Sequence, residues 1–196
     1  MINRYGHRLV ERGYSIVPLL AGKKRPPGKD WQKIVSTPEM VAGWINTNPD
    51  FGIGVLCATT CAVDMDCRDK ALNNKMLHWL KDNVGLAAIR VGVPFRNEEG
   101  FKKMRSTEFE DSEGVRHAVE ILGKGQQFVA YGIHPKTVKP YEWVSGPTLA
   151  DVFHDDLPEL TSELGGKFIE YLEAQAKGLG WAEVKPGSRQ QAEEPD

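Results

Sequence analysis

Residues 61–67 read Cys-Ala-Val-Asp-Met-Asp-Cys, an apolar run into which two acids are set one residue apart. Side chains alternate across a strand, so Val63 and Met65 turn to one face while Asp64 and Asp66 project together from the other. The first face asks for a core. The second carries two carboxylates that repel unless cations neutralise them. Hard divalent ions are held by one or two carboxylates together with the phosphates of a substrate, which makes a phosphate-handling metal site one reading of this strand. The other is a solvated strand face or strand-end turn, because so short a motif recurs by chance.

The rest of the chain must carry the decision. With 196 residues and 40% hydrophobic content it is long enough to bury a core, as one domain with room for two lobes. A net charge of −2 gives no bulk attraction to nucleic acid, so a polyanion would be met by local patches such as Lys23-Lys24-Arg25 and Lys102-Lys103-Met104-Arg105. Cys57, Cys61 and Cys67 are odd in number and clustered, unlike a secreted disulfide framework, and no apolar segment suggests a leader or a membrane span. These features point to the cytoplasm. Free thiols explain the cysteines better than zinc, since there is no Cys-x-x-Cys knuckle.

Helical spacing covers 3–13, with Gly13 as a stop, and a strand follows over 14–20. Thr37 before Pro38 predicts an N-cap and a short helix to about Ile45. Segments 52–56 and 61–66 read as strands paired with each other, and 69–83 as a helix burying Leu72, Met76, Trp79 and Leu80. Short strands are predicted at 87–92, 101–105, 117–122, 127–131 and 141–143. Thr161 caps a last helix with Leu164, Phe168, Ile169 and Leu172 on its buried stripe. The folded domain is expected over 1–180, followed by a polar linker or disordered tail over 181–196.

A third acid stands out in His117-Ala-Val-Glu-Ile-Leu122, where alternation sets Glu120 apart from Val119 and Ile121. An acid in an apolar strand is costly unless paired or bound to metal, or else the strand is an edge and Glu120 faces water. In order, the chain presents Lys23-Lys-Arg-Pro-Pro-Gly-Lys-Asp-Trp31, Gly52-Ile-Gly-Val, Val63-Asp-Met-Asp66, Val119-Glu-Ile-Leu-Gly-Lys-Gly-Gln-Gln-Phe-Val129, Gly132-Ile-His-Pro135 and Tyr141-Glu-Trp143. In this order and spacing the elements resemble, over about residues 5–160, the bifunctional DNA primase/polymerase domain of phages, prophages and plasmids, a branch of the archaeo-eukaryotic primase superfamily.

The resemblance implies a two-lobed α/β (α+β) fold with an RNA-recognition-motif-like catalytic sheet, and metal-dependent polymerisation of nucleoside triphosphates on a DNA template and primer. It implies that Asp64, Asp66 and Glu120 bind a pair of Mg²⁺ or Mn²⁺ ions and are the catalytic residues. It further implies a phosphate-contacting role for His134, which could equally be a turn residue beside Pro135. Lys124, between two glycines, either touches phosphate or is solvated. The middle motif departs from the family: Arg90-Val-Gly-Val-Pro-Phe-Arg96 runs straight into Asn97-Glu-Glu-Gly100 and looks shortened. Arg90 or Arg96 suits a triphosphate, since guanidinium forks fit phosphate oxygens, and structural ion pairing suits them as well.

Lys23, Lys24 and Arg25, with Trp31 beyond the prolines, suit a template phosphate and a stacked base. Lys102 to Arg105 read instead as a solvated face. Membership of the family would place the chain in the replication of phage or mobile-element DNA, with a helicase domain or protein as a further partner and no membrane. Two alternatives remain at this point. One is a non-catalytic replication module that binds DNA through a primase-like fold; the other is an Asp-x-Asp phosphohydrolase or nucleotidyltransferase of small molecules, independent of template.

Overall fold

A computed structural model describes residues 1–86, 92–143 and 146–185. The fold is α+β, with two antiparallel sheets, each backed by its own helices. The first sheet joins β1 (Ile16–Leu19), β2 (Gly52–Leu56) and β8 (Gln127–Tyr131) in the order β1-β2-β8. Against it pack α1 (Ile2–Glu11) and α2 (Pro38–Thr47), whose Ile2, Leu9 and Val41 are fully buried in a core shared with Ile16, Ile53 and Val55. Local chemistry explains the ends of these helices. Gly13 takes φ +90 just past α1, a conformation an L side chain resists, and the Thr37 hydroxyl accepts the Met40 N–H at 3.3 Å, satisfying a donor that the first turn of α2 leaves open.

The second sheet holds β4 (Gly92–Arg96), β3 (Thr60–Asp66), β7 (Arg116–Leu122), β6 (Phe109–Glu110) and β9 (Ala182–Glu183), with β5 (Met104–Arg105) also paired to β7. One face packs on α3 (Lys70–Asn83) and α4 (Ser162–Gly178): Val63, Val93, Phe95, Val119 and Ile121 meet Leu72, Met76, Leu80, Phe168 and Leu172. Thr161 caps α4 as expected, on the Leu164 N–H, and Asp69 does the same for α3 on the Leu72 N–H.

Strands β2 and β3 do not pair with each other, as their adjacency had suggested. They belong to different sheets, β2 beside β8 and β3 beside β7. The chain therefore passes from the first sheet to the second after β2, back before β8, and over again after β8. The first two crossings run together: the Cys57 N–H donates to the Gln126 carbonyl at 2.8 Å. The lobes share this double ribbon. Ala62 of β3 lies in the first core, with Leu122 packed against it, while Cys61 and Val63 lie in the second.

Other expectations shift at their edges. Of the strand expected at 87–92, only Gly92 is among the described residues, where β4 begins and then runs on to Arg96. Residues 141–143 form no strand; the Tyr141 N–H donates to the Gly132 carbonyl at 2.9 Å, and Ile133 bridges Pro140. A tail was expected from residue 181, yet Trp181 stacks on His117 and Ala182–Glu183 pair with β6; residues 186–196 lie outside the described residues.

Candidate active site

Along β3, Cys61, Val63 and Met65 point into the second core, and the opposite face shows Ala62 buried, Asp64 half-buried and Asp66 exposed. The covered end of this face lies under the first lobe; the acids begin where that cover stops. The antiparallel register sets Asp64 opposite Glu120 and Asp66 opposite Ala118. Opposed residues share a face with Cβ atoms about 4.5–5.5 Å apart, and diagonal neighbours such as Asp66 and Glu120 lie about 7–8 Å apart. Three carboxylates thus gather on one surface. On the other flank Asp64 faces Gly92 of β4, where among the described residues the nearest atom to an added Cβ would be the Val63 carbonyl oxygen at 4.0 Å.

Glu120 does not face water alone. Lys103 Nζ lies 2.6 Å from Oε2 and Arg105 Nε 3.4 Å from Oε1. The basic cluster read from sequence as a solvated face is exposed at Lys102, Lys103 and Arg105, and it also meets an acid: Arg105 is registered directly opposite Glu120, Met104 opposite Ile121, and Met104 packs toward the second core. Alternation on this short edge strand places Lys103 and Arg105 with the acids and the apolar residue between them underneath. Such partly exposed pairs add at most about 1 kcal/mol each to stability. Their larger effect is on charge, because they offset the repulsion of the three carboxylates.

Among the described residues no three His, Cys, Asp or Glu side chains converge as a formed metal site. The donor set nevertheless suits a hard cation, since Asp64, Asp66 and Glu120 offer only carboxylate oxygens on one face. For Glu120 to join, its carboxylate must exchange Lys103 and Arg105 for the metal.

A further set of contacts anchors the far end of the acid strand. His117, buried, accepts the Arg68 N–H on Nδ1 at 3.3 Å, and its Nε2 donates to Asp111 Oδ2 at 3.0 Å. Trp181 stacks on the ring with centroids 4.1 Å apart. The hydrogen bond from His117, then one from the Val115 backbone, holds the Asp111 carboxyl below its usual range. Nothing in the local sequence of Asp111, His117 or Trp181 signals this clamp, which joins the β6–β7 turn to Arg68 and Trp181, both distant in the chain.

The remaining candidates are dispersed. Arg90 lies outside the described residues. Arg96 donates from Nε to the Leu157 carbonyl at 2.8 Å and pairs through Nη1 with Glu98 at 2.6 Å. It stands four residues along β4 from Gly92, a separation of about 13 Å in a strand, so its guanidinium ties the strand to the loop before α4 rather than facing the acids. Lys124 is exposed on a turn whose glycine serves packing: a Cβ on Gly123 would collide with the Phe101 carbonyl oxygen and come 2.7 Å from the Lys102 carbonyl carbon. The close approach is to the segment leading into β5, not to a ligand.

His134 Nδ1 accepts the N–H groups of Lys136 and Thr137 at 3.3 and 3.2 Å, which leaves Nε2 as the protonated nitrogen in the neutral ring. It organises its turn and still presents a donor. Lys23, Lys24 and Arg25 are exposed, and their loop is tied to the first sheet by a hydrogen bond from Gln127 Nε2 to the Lys24 carbonyl. Trp31 lines a groove of about 230 Å³ with Pro26, Pro27, Trp44 and Phe51. Basic loop and aromatic groove therefore adjoin on the first lobe. Among the described residues no helix is long and apolar enough to cross a membrane.

The family model for the N-terminal domain of the bifunctional DNA primase/polymerases matches residues 6–162. No curated protein and no solved structure matches the chain.

Proposed function

Because the chain belongs to the bifunctional DNA primase/polymerase family, we propose that it catalyses metal-dependent, template-directed nucleotidyl transfer in the replication of phage or mobile-element DNA. Family membership carries the coarse statement: a primase/polymerase-type protein whose substrates are DNA and nucleotides. The single observation that supports the finer reading is the register of Asp64 against Glu120, with Asp66 on the same face.

Asp64, Asp66 and Glu120 would hold Mg²⁺ or Mn²⁺, which when bound stabilises the attacking and leaving oxygens of an in-line displacement. Asp64 lies between Glu120 and Gly92, and the lack of a side chain at Gly92 favours that flank for a 3′-hydroxyl and a phosphate. His134 supplies an Nε2–H donor to a phosphate oxygen, and its own turn keeps it in that tautomer. Lys124 is placed as a more distant solvated cation. Lys23, Lys24 and Arg25 contact template phosphates, and a base rests against Trp31 in the adjoining groove. The cytoplasm of a bacterial host and cooperation with a replicative helicase complete the reading.

The test is incorporation of labelled deoxy- and ribonucleotides on a DNA template, with and without primer, in Mg²⁺ or Mn²⁺. Wild type gives metal-dependent product, and Asp64→Asn, Asp66→Asn or Glu120→Gln loses it with an unchanged circular dichroism spectrum. Activity retained in Asp64→Asn would remove the metal assignment. One observation favours a second reading, a non-catalytic DNA-binding module: the pairing of Glu120 with Lys103 and Arg105. In that case the protein binds DNA equally with metal, without it, and in Asp64→Asn.

A further inference from the structure

Of the two cations on Glu120, Arg105 sits on β5, a strand of only two paired residues on the side of β7 opposite β3, and Lys103 comes just before it. Asp64 approaches Glu120 from β3, Lys103 and Arg105 from the β5 side, so the Glu120 carboxylate is contested from both directions. Lys103 and Arg105 remain 37% and 52% exposed, against 27% for Glu120, so the cations are on the solvent side of the pair and can leave it without unpacking the core. Met104 between them is the residue anchored below.

We infer that Lys103 and Arg105 form an exchangeable latch: they neutralise Glu120 while the metal is absent, and pass to the phosphates of the incoming nucleotide when the metal takes Glu120. The inference rests on the reading that Asp64, Asp66 and Glu120 hold a divalent cation. Its physical basis is that no bond is made or broken in the exchange; three carboxylates trade two fixed cations for a divalent one, and the released ammonium and guanidinium meet the polyanion that arrives with it. Metal and latch compete for the same oxygens, whereas nucleotide and latch attract. Removing the latch therefore acts with opposite sign on the two ligands, which a merely structural ion pair would not do.

The experiment uses the full chain as wild type, Lys103→Met, Lys103→Met/Arg105→Met and Asp64→Asn. Mn²⁺ binding alone is followed by the electron paramagnetic resonance signal of the free ion, and binding of a non-hydrolysable deoxynucleoside triphosphate is measured at saturating Mn²⁺. The expected result is tighter Mn²⁺ binding and weaker nucleotide binding in the double variant, each by about tenfold, the scale of one charge-assisted hydrogen bond, with Lys103→Met intermediate. If wild type binds Mn²⁺ through Asp64 and the double variant changes neither affinity, or weakens both, the latch is overturned and the metal reading stands. If wild type binds Mn²⁺ no better than Asp64→Asn, the metal reading fails and the latch fails with it.

Discussion

Gly123→Ala should damage this protein far more than its small size suggests. The backbone there is not in the left-handed region, so alanine brings no conformational strain; the cost is steric. Its Cβ would strike the Phe101 carbonyl oxygen and stand 2.7 Å from the Lys102 carbonyl carbon and 2.9 Å from its oxygen. All are backbone atoms, which no side-chain rotation can move aside. Relief requires the 101–102 segment to retreat, which breaks the hydrogen bond from the Lys124 N–H to the Phe101 carbonyl, 2.8 Å long. Overpacking at about 1–3 kcal/mol and a lost hydrogen bond at about 1 kcal/mol give a total near 2–4 kcal/mol. For a chain of this length that lowers Tm by about 5–15 °C. Urea unfolding followed by circular dichroism measures it, with Gly43→Ala as reference. Gly43 is exposed within α2 and an added Cβ there meets nothing within 4 Å, so alanine should stabilise by about 0.5–1 kcal/mol. A Gly123→Ala loss below about 0.5 kcal/mol would refute the reasoning, because surface changes of no structural importance fall in that range.

The thiols offer a second check. Cys57, Cys61 and Cys67 are buried, and burial pushes the Cys57 thiol up from 9.0 to about 12 and raises the other two. Thiolates are the reactive form, so a disulfide reagent at pH 8 should leave Cys57 and Cys61 unlabelled in the native protein and label them in urea. Above pH 9 the unfolded chain releases a proton that folded Cys57 keeps; its contribution is full below that pH and is lost as pH rises toward 12. The urea midpoint should fall between pH 8 and pH 10.5, and fall less in Cys57→Ala; equal midpoints in the wild type would contradict the burial argument. Phe168→Ala, at a fully buried position of α4 against α3 and the acid-bearing sheet, should cost about 3–5 kcal/mol in the same unfolding experiment. A loss under about 1 kcal/mol would mean that the second core does not depend on this helix.

What the residues declare in advance is local. Thr37-Pro38, Thr161 and Gly13 mark helix ends through hydrogen bonds and backbone angles spanning a few residues, and each functions where expected. Alternation likewise sorts Val63 and Met65 from Asp64 and Asp66 without reference to any other strand. Choice of partner has no such local sign. Segments 52–56 and 60–66 are separated by a short turn and look like a hairpin, but the two-sheet packing assigns their pairs to β8 and β7. Lys103 and Arg105 show the same limit: a Lys-x-Arg alternation reads as solvated, which it is, but gives no sign that the strand opposite carries Glu120 at the matching position. Two-residue strands such as β6 and β9 contain too few side chains for any period to show.

The double crossing between the sheets bears on how the chain is made. Strand β2 is the middle of the first sheet, yet the partner on its far side, β8, is translated about 70 residues later. At roughly 5–20 residues per second, β2 waits about 4–15 s after its own synthesis with one edge unsatisfied. An unpaired, glycine-rich and apolar edge is a site where another nascent chain can add itself. Synthesis that stalls before Gln127 would therefore leave both lobes unfinished at once, since the first still lacks β8 and the second still lacks α4 and β9.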